Sequence, residues 1–310
     1  MAAGSIVVLA LCGACGDDSN GGGTGGQGAT TTQGGGGGTG GSGGSGTGGS
    51  SSGTGGSSSG TGGSTSGTGG GGQLWQPALG TTWQWQLSDL PVDTSVDVAV
   101  YDIDLFDSSP SLLAELQGDG RIVICYFSAG SWEDWRPDAG QFPQSAKGGS
   151  LDPPFQDELW LDIRDATVRQ LMAARLDIAV TKGCDAVEPD NVDGYTNNNG
   201  FGLTGADQID FNRFIATEAH TRGLSVGLKN DVDQVDDLVG DFDWALNEEC
   251  FTYDECGAYA TNFVAQNKAV FHAEYVGQNQ LANVCAVTQP LQLSTILKHM
   301  DLDAFRLPCP

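Results

Sequence analysis

The feature that most limits how this chain can fold is a segment of Gly, Ser and Thr that fills residues 19–72. The segment has almost no apolar side chains, so it cannot bury the surface that would offset the entropy cost of ordering its backbone. We therefore predict a disordered linker at 19–72 and a single folded domain at 73–310. A domain of about 238 residues is the usual size of one α/β barrel.

The chain before the linker predicts export. Residues 1–18 contain an apolar run at 6–11 that is too short to span a bilayer and is followed by small residues and Cys15. This pattern resembles a bacterial lipoprotein signal with Cys15 as the lipidated residue, although no basic residue precedes the run and Cys12 fits less well. We expect an exported lipoprotein, in the cell envelope or outside the cell, that meets the membrane only through this anchor.

The net charge of the chain bears on its partners. The formal charge is −26, and Asp17 and Asp18 are the only charged residues before Asp89, so the folded domain carries about −24. Such a field repels nucleic acid and anionic lipid headgroups and attracts cations. It fits either the solubility of an exported protein or a cationic substrate. We expect a monomer that binds no nucleic acid.

Short runs with strand character alternate with helical stretches after residue 83. Several strand runs are continuously apolar, which is typical of parallel strands covered on both faces. We predict strands at 83–87, 98–101, 121–127, 185–187, 225–228, 244–247, 269–275 and 303–307. We predict helices at 110–117, 165–181, 207–222, 232–239 and 256–266. Eight strands separated by helices indicate an α/β fold of the (β/α)8 TIM barrel type.

Polar side chains cluster at the carboxyl ends of these predicted strands, which is where the active site of such a barrel lies. Carboxylates follow two different strands, at 188–190 and at 248–249, and a glycosidase needs such a pair. The residues that we expect to contact substrate are Trp85, Asp102, Asp104, Tyr126, Ser128, Glu188, Asp193, Tyr195, Lys229, Asn230, Glu274 and Tyr275. The Pro- and Gly-rich stretch 131–157 is expected to be a loop over this face, where Trp132 and Trp135 either stack on sugar rings or pack within the loop.

Several kinds of chemistry lack their sequence signatures. The histidines are His220, His272 and His299, and none belongs to a His-x-His or His-Glu-x-x-His pattern, so we expect no catalytic metal. The chain has no Gly-x-Ser-x-Gly nucleophile turn and no phosphate-binding glycine loop before a helix. We expect no cofactor.

Eight cysteines in an exported chain indicate disulfide bonds. Two of them lie in the leader, which leaves six for the domain. The predicted bridges are Cys250–Cys256 and Cys285–Cys309, whereas Cys125 and Cys184 form either a third pair or two buried thiols. The first bridge would stiffen the loop that follows Glu248.

Five motifs together resemble glycoside hydrolase family 114, the endo-α-1,4-polygalactosaminidases and their relatives. They are Trp-Gln-Trp-Gln-Leu at 83–87, Cys-Tyr-Phe-Ser-Ala-Gly-Ser-Trp-Glu at 125–133, Glu-Pro-Asp-Asn-Val-Asp-Gly-Tyr at 188–195, Gly-Leu-Lys-Asn at 227–230 and Asn-Glu-Glu-Cys at 247–250. The resemblance covers nearly the whole folded part. It implies a TIM-barrel enzyme that cleaves internal α-1,4 bonds of a galactosamine polymer.

The resemblance also implies that Asp190 and Glu248 are the two functional carboxylates. We assign Asp190 as the nucleophile and Glu248 as the general acid/base of a retaining mechanism. Glu249 stands where the family often has Gln, so it is the alternative acid/base. Two other functions remain compatible with the sequence: hydrolysis of another α-linked glycan, and non-catalytic carbohydrate binding at the cell surface.

The acidic composition suits the substrate that the resemblance implies. Deacetylated galactosamine polymers are cationic near neutral pH, so a negative cleft would attract them. We expect Asp102, Asp104 and Glu274 to contact their ammonium groups, and Lys229 and Asn230 to hold sugar hydroxyls or steady the nucleophile.

Overall fold

The computed structural model describes residues 74–310. The predicted leader, the lipidation site Cys15 and the predicted linker lie outside the described residues. Within 74–310, none of the helices combines the length and the apolar character that a bilayer crossing requires.

The described residues form one large sheet and one small sheet. The strands are β1 (Trp83–Gln86), β2 (Val100–Asp104), β3 (Ile122–Ser128), β4 (Ser131–Trp132), β5 (Lys147–Ser150), β6 (Leu159–Leu161), β7 (Ala186–Asp190), β8 (Ser225–Lys229), β9 (Trp244–Glu248), β10 (Val270–Glu274), β11 (Ser294–Leu297) and β12 (Leu307–Pro308). The large sheet has the order β1-β2-β3-β7-β8-β9-β10-β11-β12. Its first eight strands are parallel, and β12 pairs antiparallel with β11.

Contacts between the first and last parallel strands curl the large sheet. The indole nitrogen of Trp83 in β1 donates a hydrogen bond to the carbonyl of Ser294 in β11 at 2.7 Å. The backbone N–H groups of Leu87 and Ser88 both donate to the carbonyl of Leu302. Eight parallel strands whose ends approach in this way fit the predicted (β/α)8 barrel.

Seven predicted strands are confirmed, but the eighth was placed wrongly. The eighth parallel strand is β11, and the predicted strand at 303–307 is mostly a turn. Two contacts fix this turn: Asp303 accepts the N–H of Phe305 at 2.9 Å, and the ammonium of Lys298 donates to the carbonyls of Asp303 and Phe305. The four residues of β11 are too few to give a periodic signal.

Six helices connect these strands. They are α1 (Pro110–Gly118), α2 (Ala166–Lys182), α3 (Gly205–Thr221), α4 (Val235–Leu238), α5 (Cys256–Asn262) and α6 (Leu281–Thr288). Helix α2 begins and ends as its sequence dictates. Asp165 accepts two backbone N–H groups at its start, and Gly183 ends it with a φ of 88°. The five predicted helices are present, with α4 and α5 shorter than expected, and α6 was not predicted.

Residues 131–161 are more ordered than the predicted loop. Strands β4, β6 and β5 form an antiparallel sheet in that order. Trp132 packs inside it, because its indole nitrogen donates to the carbonyl of Ala139 at 3.0 Å and the ammonium of Lys147 lies 3.7 Å from the ring centre. Trp135 is exposed.

Two apolar cores follow from the alternation of side chains along the strands. Side chains on the inner face of the curled sheet include Trp83, Trp85, Trp244 and Phe271. Those on the outer face pack against the helices. Gly227 in β8 makes room for the inner core, because a Cβ atom there would overlap the ring of Trp244.

Three disulfide bonds join residues of the domain. The two predicted bridges, Cys250–Cys256 and Cys285–Cys309, are both present. Cys125 and Cys184, for which the sequence left two alternatives, form the third. The bridge Cys250–Cys256 closes the loop between β9 and α5, directly after Glu248.

The space at Gly227 gives a test of this core. Gly227→Ala should lower the free energy of unfolding by about 1–3 kcal/mol, because the added methyl group displaces the Trp244 ring. The matched control is Gly257→Ala in α5, where nothing lies within 4 Å of the added Cβ. Gly257 is the second residue of α5 and its φ is not positive, so alanine there should stabilise the protein by about 0.4–1 kcal/mol, chiefly by restricting the unfolded chain. Urea denaturation measures both, and equal effects of the two substitutions would contradict the packing described here.

Candidate active site

Side-chain alternation brings the polar residues of the strand ends onto one face. In β7, Ala186, Glu188 and Asp190 are spaced two apart, and Ala186 belongs to the inner core. In β9, Leu246 belongs to the same core, so Glu248 two residues later also points inward. Between these strands, β8 ends at Lys229. The carboxyl ends of three neighbouring strands therefore place carboxylates and an ammonium group together.

Lys229 is the centre of this cluster. Its Nζ lies 2.7 Å from Glu188 Oε1, 3.2 Å from Asp190 Oδ1 and 3.3 Å from Glu248 Oε2. The ammonium also lies 4.6 Å from the ring centre of Trp85. Burial would lower the pKa of Lys229, but the charges of Asp190, Glu188 and Glu248 outweigh it and raise the pKa well above its ordinary value. The ammonium therefore stays charged while only 2% of the residue is exposed.

The Asp190 carboxylate is held by donors on both oxygens. Asp190 Oδ2 accepts the hydroxyl of Tyr126 at 3.0 Å, and Oδ1 accepts the backbone N–H of Asn191 at 2.8 Å. Asn191 has a φ of 59°, which Asn tolerates better than most residues. Gly130 packs directly on this turn, where a Cβ atom would overlap the carbonyl of Asn191. The turn after β7 therefore depends on Asn191, which tolerates the positive φ, and on Gly130, which leaves room for the Asn191 carbonyl.

The Glu248 carboxylate has a similar set of donors. Oε2 accepts the side-chain amide of Asn230 at 3.0 Å, and Oε1 accepts the hydroxyl of Tyr275. The carbonyl oxygen of the Asn230 side chain accepts the backbone N–H of Glu248 at 2.9 Å. Asn230 therefore forms two hydrogen bonds with Glu248, one to its side chain and one to its backbone. Burial and the charge of Glu248 raise the pKa of Tyr275 well above its ordinary value, so this hydroxyl keeps its proton.

Glu249 differs from Glu248 in its contacts. Among residues 74–310, no hydrogen bond or ion pair reaches the Glu249 carboxylate, and its backbone is left-handed with a φ of 64°. Partial burial and then the charges of Glu248 and Glu274 raise the pKa of Glu249 to about 7. Only Glu248 of the two shares Lys229 with Asp190.

The separation of Asp190 and Glu248 is bounded by the lysine between them. The two oxygens that contact Nζ are no farther apart than the two Nζ distances added together, about 6.5 Å. Both side chains remain partly open to solvent, with 19% and 23% of their surface exposed. Both carboxylates are therefore accessible from solvent.

Asp102 and Glu188 form a buried pair of acids beneath the cluster. Neither is exposed, and within the described chain no N–H or O–H group donates to either oxygen of Asp102 or to Glu188 Oε2. A proton on Asp102 that is donated to Glu188 resolves this arrangement. Burial, and then the charge of Glu188, raises the pKa of Asp102 well above its ordinary value, which agrees with a protonated Asp102.

Three predicted substrate contacts are occupied inside the fold instead. Asp104 binds the guanidinium of Arg136 with both oxygens, at 3.0 and 2.7 Å. Glu274 accepts the N–H and hydroxyl of Thr252 and so anchors the turn after β9. Full burial of Asp102 likewise does not fit contact with a substrate ammonium group. Sequence alone could not separate Asp104 and Glu274 from Asp190, because all three end parallel strands.

The remaining predicted contacts lie around the cluster. Burial and then the charge of Asp190 raise the pKa of Asp193 to about 6. Tyr195 packs over Gly205, and burial followed by the charge of Asp231 raises the pKa of Tyr195. Ser128 is buried and its hydroxyl accepts the side-chain amide of Asn191 at 3.0 Å.

Several residues near the site were not predicted. Glu133 contacts Arg136 at 2.7 Å, and Arg175 binds both oxygens of Asp138 at 2.8 and 2.9 Å. Glu158 accepts the hydroxyl of Ser131. These groups lie in or face the segment between β4 and α2, whose sequence pattern indicated only a loop. The charged residues at 133, 136 and 158, close in sequence to Trp132, Trp135 and Trp160, were the available signal.

Two groups of side chains in residues 74–310 have ligand atoms close enough to share a metal ion. One consists of Cys250, Cys256 and His272, but its two cysteines are joined as a disulfide. The other consists of His299, Asp301 and Asp303, of which His299 and Asp303 already contact each other at 2.9 Å. Neither group includes a member of the Lys229 cluster.

Comparison with known proteins gives consistent results. Residues 65–310 match the family model for glycoside-hydrolase family GH114. The crystal structure of Ega3 from Aspergillus fumigatus in complex with galactosamine is 47% identical in sequence, with a TM-score of 0.73, and the match covers 76% of this chain and 97% of that one. The glycoside hydrolase domain of PelA from Pseudomonas aeruginosa is 12% identical, with a TM-score of 0.59 over 73% of this chain and 97% of that one, so it supports the fold alone. A comparison with curated proteins gave no match.

The acid pair beneath Lys229 can be tested by substitution. Asp102→Asn should keep activity within about threefold, because an amide N–H can donate to Glu188 as the protonated acid does. Asp102→Ala leaves Glu188 Oε2 without a donor and should cost about 1–3 kcal/mol of folding free energy. Steady-state kinetics and urea denaturation measure the two effects. A large rise in KM for Asp102→Asn would instead support an ionised Asp102 that contacts substrate.

Proposed function

Because the chain belongs to glycoside hydrolase family 114 and is a glycosidase, we propose that it hydrolyses internal α-1,4 bonds of a galactosamine-containing polysaccharide. The substrate class is supported by the 47% identity with Ega3, whose crystal structure was determined with galactosamine. The observation that carries the proposal is the position of Asp190 and Glu248 on either side of Lys229.

We propose a retaining mechanism, which the positions of the two carboxyl groups admit. Retaining glycosidases hold their two carboxyl groups about 5–5.5 Å apart, whereas inverting enzymes need about 6.5–9.5 Å to admit a water molecule. The bound of about 6.5 Å applies to the two oxygens that face Lys229, and it admits the retaining separation.

The two carboxyl groups take different roles in this mechanism. Glu248 donates a proton to the glycosidic oxygen while the bond from that oxygen to the anomeric carbon breaks, and an oxygen of Asp190 bonds to the same carbon. Water then attacks the anomeric carbon, Glu248 takes a proton from the water, and Asp190 leaves as a carboxylate. Tyr126 and the N–H of Asn191 orient Asp190 for the attack.

The charge of the domain supports a cationic polymer as the substrate. About −24 of the formal charge belongs to the folded part. An acidic surface raises the local concentration of a polycation and speeds encounter in a way that salt screens. The carboxylates that remain partly open at the site are Asp190, Asp193, Glu248 and Glu249. They replace Asp102, Asp104 and Glu274 as the proposed contacts for ammonium groups.

The location of the enzyme is also a proposal. Three disulfide bonds are expected of a protein that works outside the reducing cytosol. We propose that the enzyme is exported, and that lipidated Cys15 anchors it to a membrane. A single subunit and the absence of nucleic-acid binding stay predictions.

The test is the release of reducing ends from partly deacetylated polygalactosamine. The wild-type protein should be active, and Asp190→Asn and Glu248→Gln should each lower kcat about 10²–10⁴-fold, because each removes a group that takes part in bond cleavage. Glu249→Gln is the matched control and should change kcat by less than about tenfold, since its carboxylate has no contact with Lys229.

Each outcome decides a separate part of the proposal. Inactivity of the folded wild type on this polymer, with activity on another α-linked glycan, would overturn the substrate. Loss of activity in Glu249→Gln but not in Glu248→Gln would move the acid/base by one residue. Inactivity on every glycan, with binding retained, would support the carbohydrate-binding alternative.

A further inference from the structure

A chain of hydrogen bonds leads from the nucleophile to a carboxylate outside the Lys229 cluster. The backbone N–H of Asn191 donates to Asp190 Oδ1, and the side-chain amide of Asn191 donates to Ser128 Oγ at 3.0 Å. The hydroxyls of Ser128 and Ser131 lie 2.5 Å apart, and the hydroxyl of Ser131 donates to Glu158 Oε2. Both serines are fully buried and Glu158 is nearly so.

The ionised form of Glu158 determines the direction of every bond in this chain. An ionised carboxylate can only accept, so the hydroxyl proton of Ser131 must point to Glu158. Ser131 Oγ then accepts the proton of Ser128, which leaves the lone pairs of Ser128 Oγ for its remaining neighbours. Those neighbours are the amide of Asn191 and the backbone N–H of Ser131 at 3.1 Å, and both can only donate. The side-chain amide of Asn191 also lies 3.4 Å from Ser131 Oγ, so both serines hold it.

The chain matters because it holds Asn191 in a left-handed conformation. A non-glycine residue with a φ of 59° is held there by its surroundings rather than by its own preference. Its side-chain amide is fastened to Ser128, and its carbonyl packs on Gly130. The peptide that joins Asp190 to Asn191 is also held from its other side, because the carbonyl of Asp190 accepts the N–H groups of Ala129 and Gly130 at 2.8 and 3.1 Å. Release of the amide would therefore loosen the contact of the Asn191 N–H with Asp190 rather than remove every restraint on it.

We propose that Glu158 is a positioning residue for the nucleophile: through Ser131, Ser128 and Asn191 it holds the Asp190 carboxylate in its reactive orientation. This inference rests on the proposed function of Asp190. Glu158 touches neither Asp190 nor the lysine, and it comes from the segment between β5 and β6, so the small sheet contributes to the active site of the large one.

Glu158 also makes this support dependent on pH. Burial raises the pKa of Glu158 to about 7. The charges of Glu133 and Asp190 raise this pKa further, whereas the hydrogen bond from Ser131 and the charge of Arg136 lower it. Below this pH a protonated Glu158 donates to Ser131 Oγ, and the hydroxyls must reverse. The ordered chain is therefore complete above about pH 7 and weakens as the pH falls through that value.

The experiment compares three variants over a range of pH. Glu158→Gln keeps an acceptor oxygen for Ser131 but cannot ionise, so it should remain active and shift the acid limb of the kcat profile to lower pH by about one unit or more. Glu158→Ala removes the acceptor and should lower kcat about tenfold or more with little change in KM. The matched control is Asp157→Asn, which removes an exposed charge next to Glu158 and should leave kcat and its pH profile unchanged.

A structural measurement separates this proposal from the proposed function. In a crystal structure of Glu158→Ala without substrate, the 2.8 Å contact between Asn191 N and Asp190 Oδ1 should lengthen, whereas Glu158→Gln should keep it. An intact contact in Glu158→Ala, or a wild-type kcat profile in both Glu158 variants, would overturn the positioning role. If the wild type proves inactive on galactosamine polymers, the substrate proposal fails, and the crystal structures still decide the role of Glu158.

Discussion

One buried ammonium group organises the carboxyl ends of three strands. Lys229 lies within 3.3 Å of Glu188, Asp190 and Glu248, and removing it would leave several carboxylates close together with no positive charge among them. Burying an isolated lysine is costly in free energy. Here the three carboxylates offset that cost, and the lysine in turn stabilises their negative charges. The arrangement explains why a fold whose formal charge is strongly negative can concentrate acids at one point. It also limits the distance between Asp190 and Glu248, the two carboxylates that we propose as the catalytic pair.

Much of this could be predicted from the sequence, because period-two alternation and strand ends obey simple geometry. Asp190, Lys229 and Glu248 follow apolar runs in β7, β8 and β9, and parallel strands bring their carboxyl ends to one edge. The same geometry failed to distinguish Asp104 and Glu274, which end β2 and β10 but are bound to Arg136 and to the turn at Thr252. Their partners come from loops that are distant in sequence, and no local sequence pattern indicates such a tertiary contact.

The remaining errors have similar causes. Strand β11 and helix α6 are short, and their placement depends on closure of the sheet rather than on periodicity. The segment between β4 and α2 looked like a loop because Gly and Pro interrupt it, yet it forms a small sheet with buried charges. Glu158 belongs to this segment, so the support that we propose for the nucleophile could not be inferred before the fold was known. Insertions after barrel strands are thus where chemistry is hardest to predict from sequence.

The most direct test of the central claim is an NMR titration of the lysine side chains. Lys298 is as buried as Lys229, but its ammonium contacts carbonyl groups, and burial lowers the pKa of Lys298 to about 8. Lys229 should titrate well above the ordinary lysine value, because the three carboxylates outweigh the same burial. If the account is correct, the two side chains titrate on opposite sides of that value. A pKa for Lys229 at or below that of Lys298 would show that the carboxylates carry protons instead, and would contradict the charge balance on which the site depends.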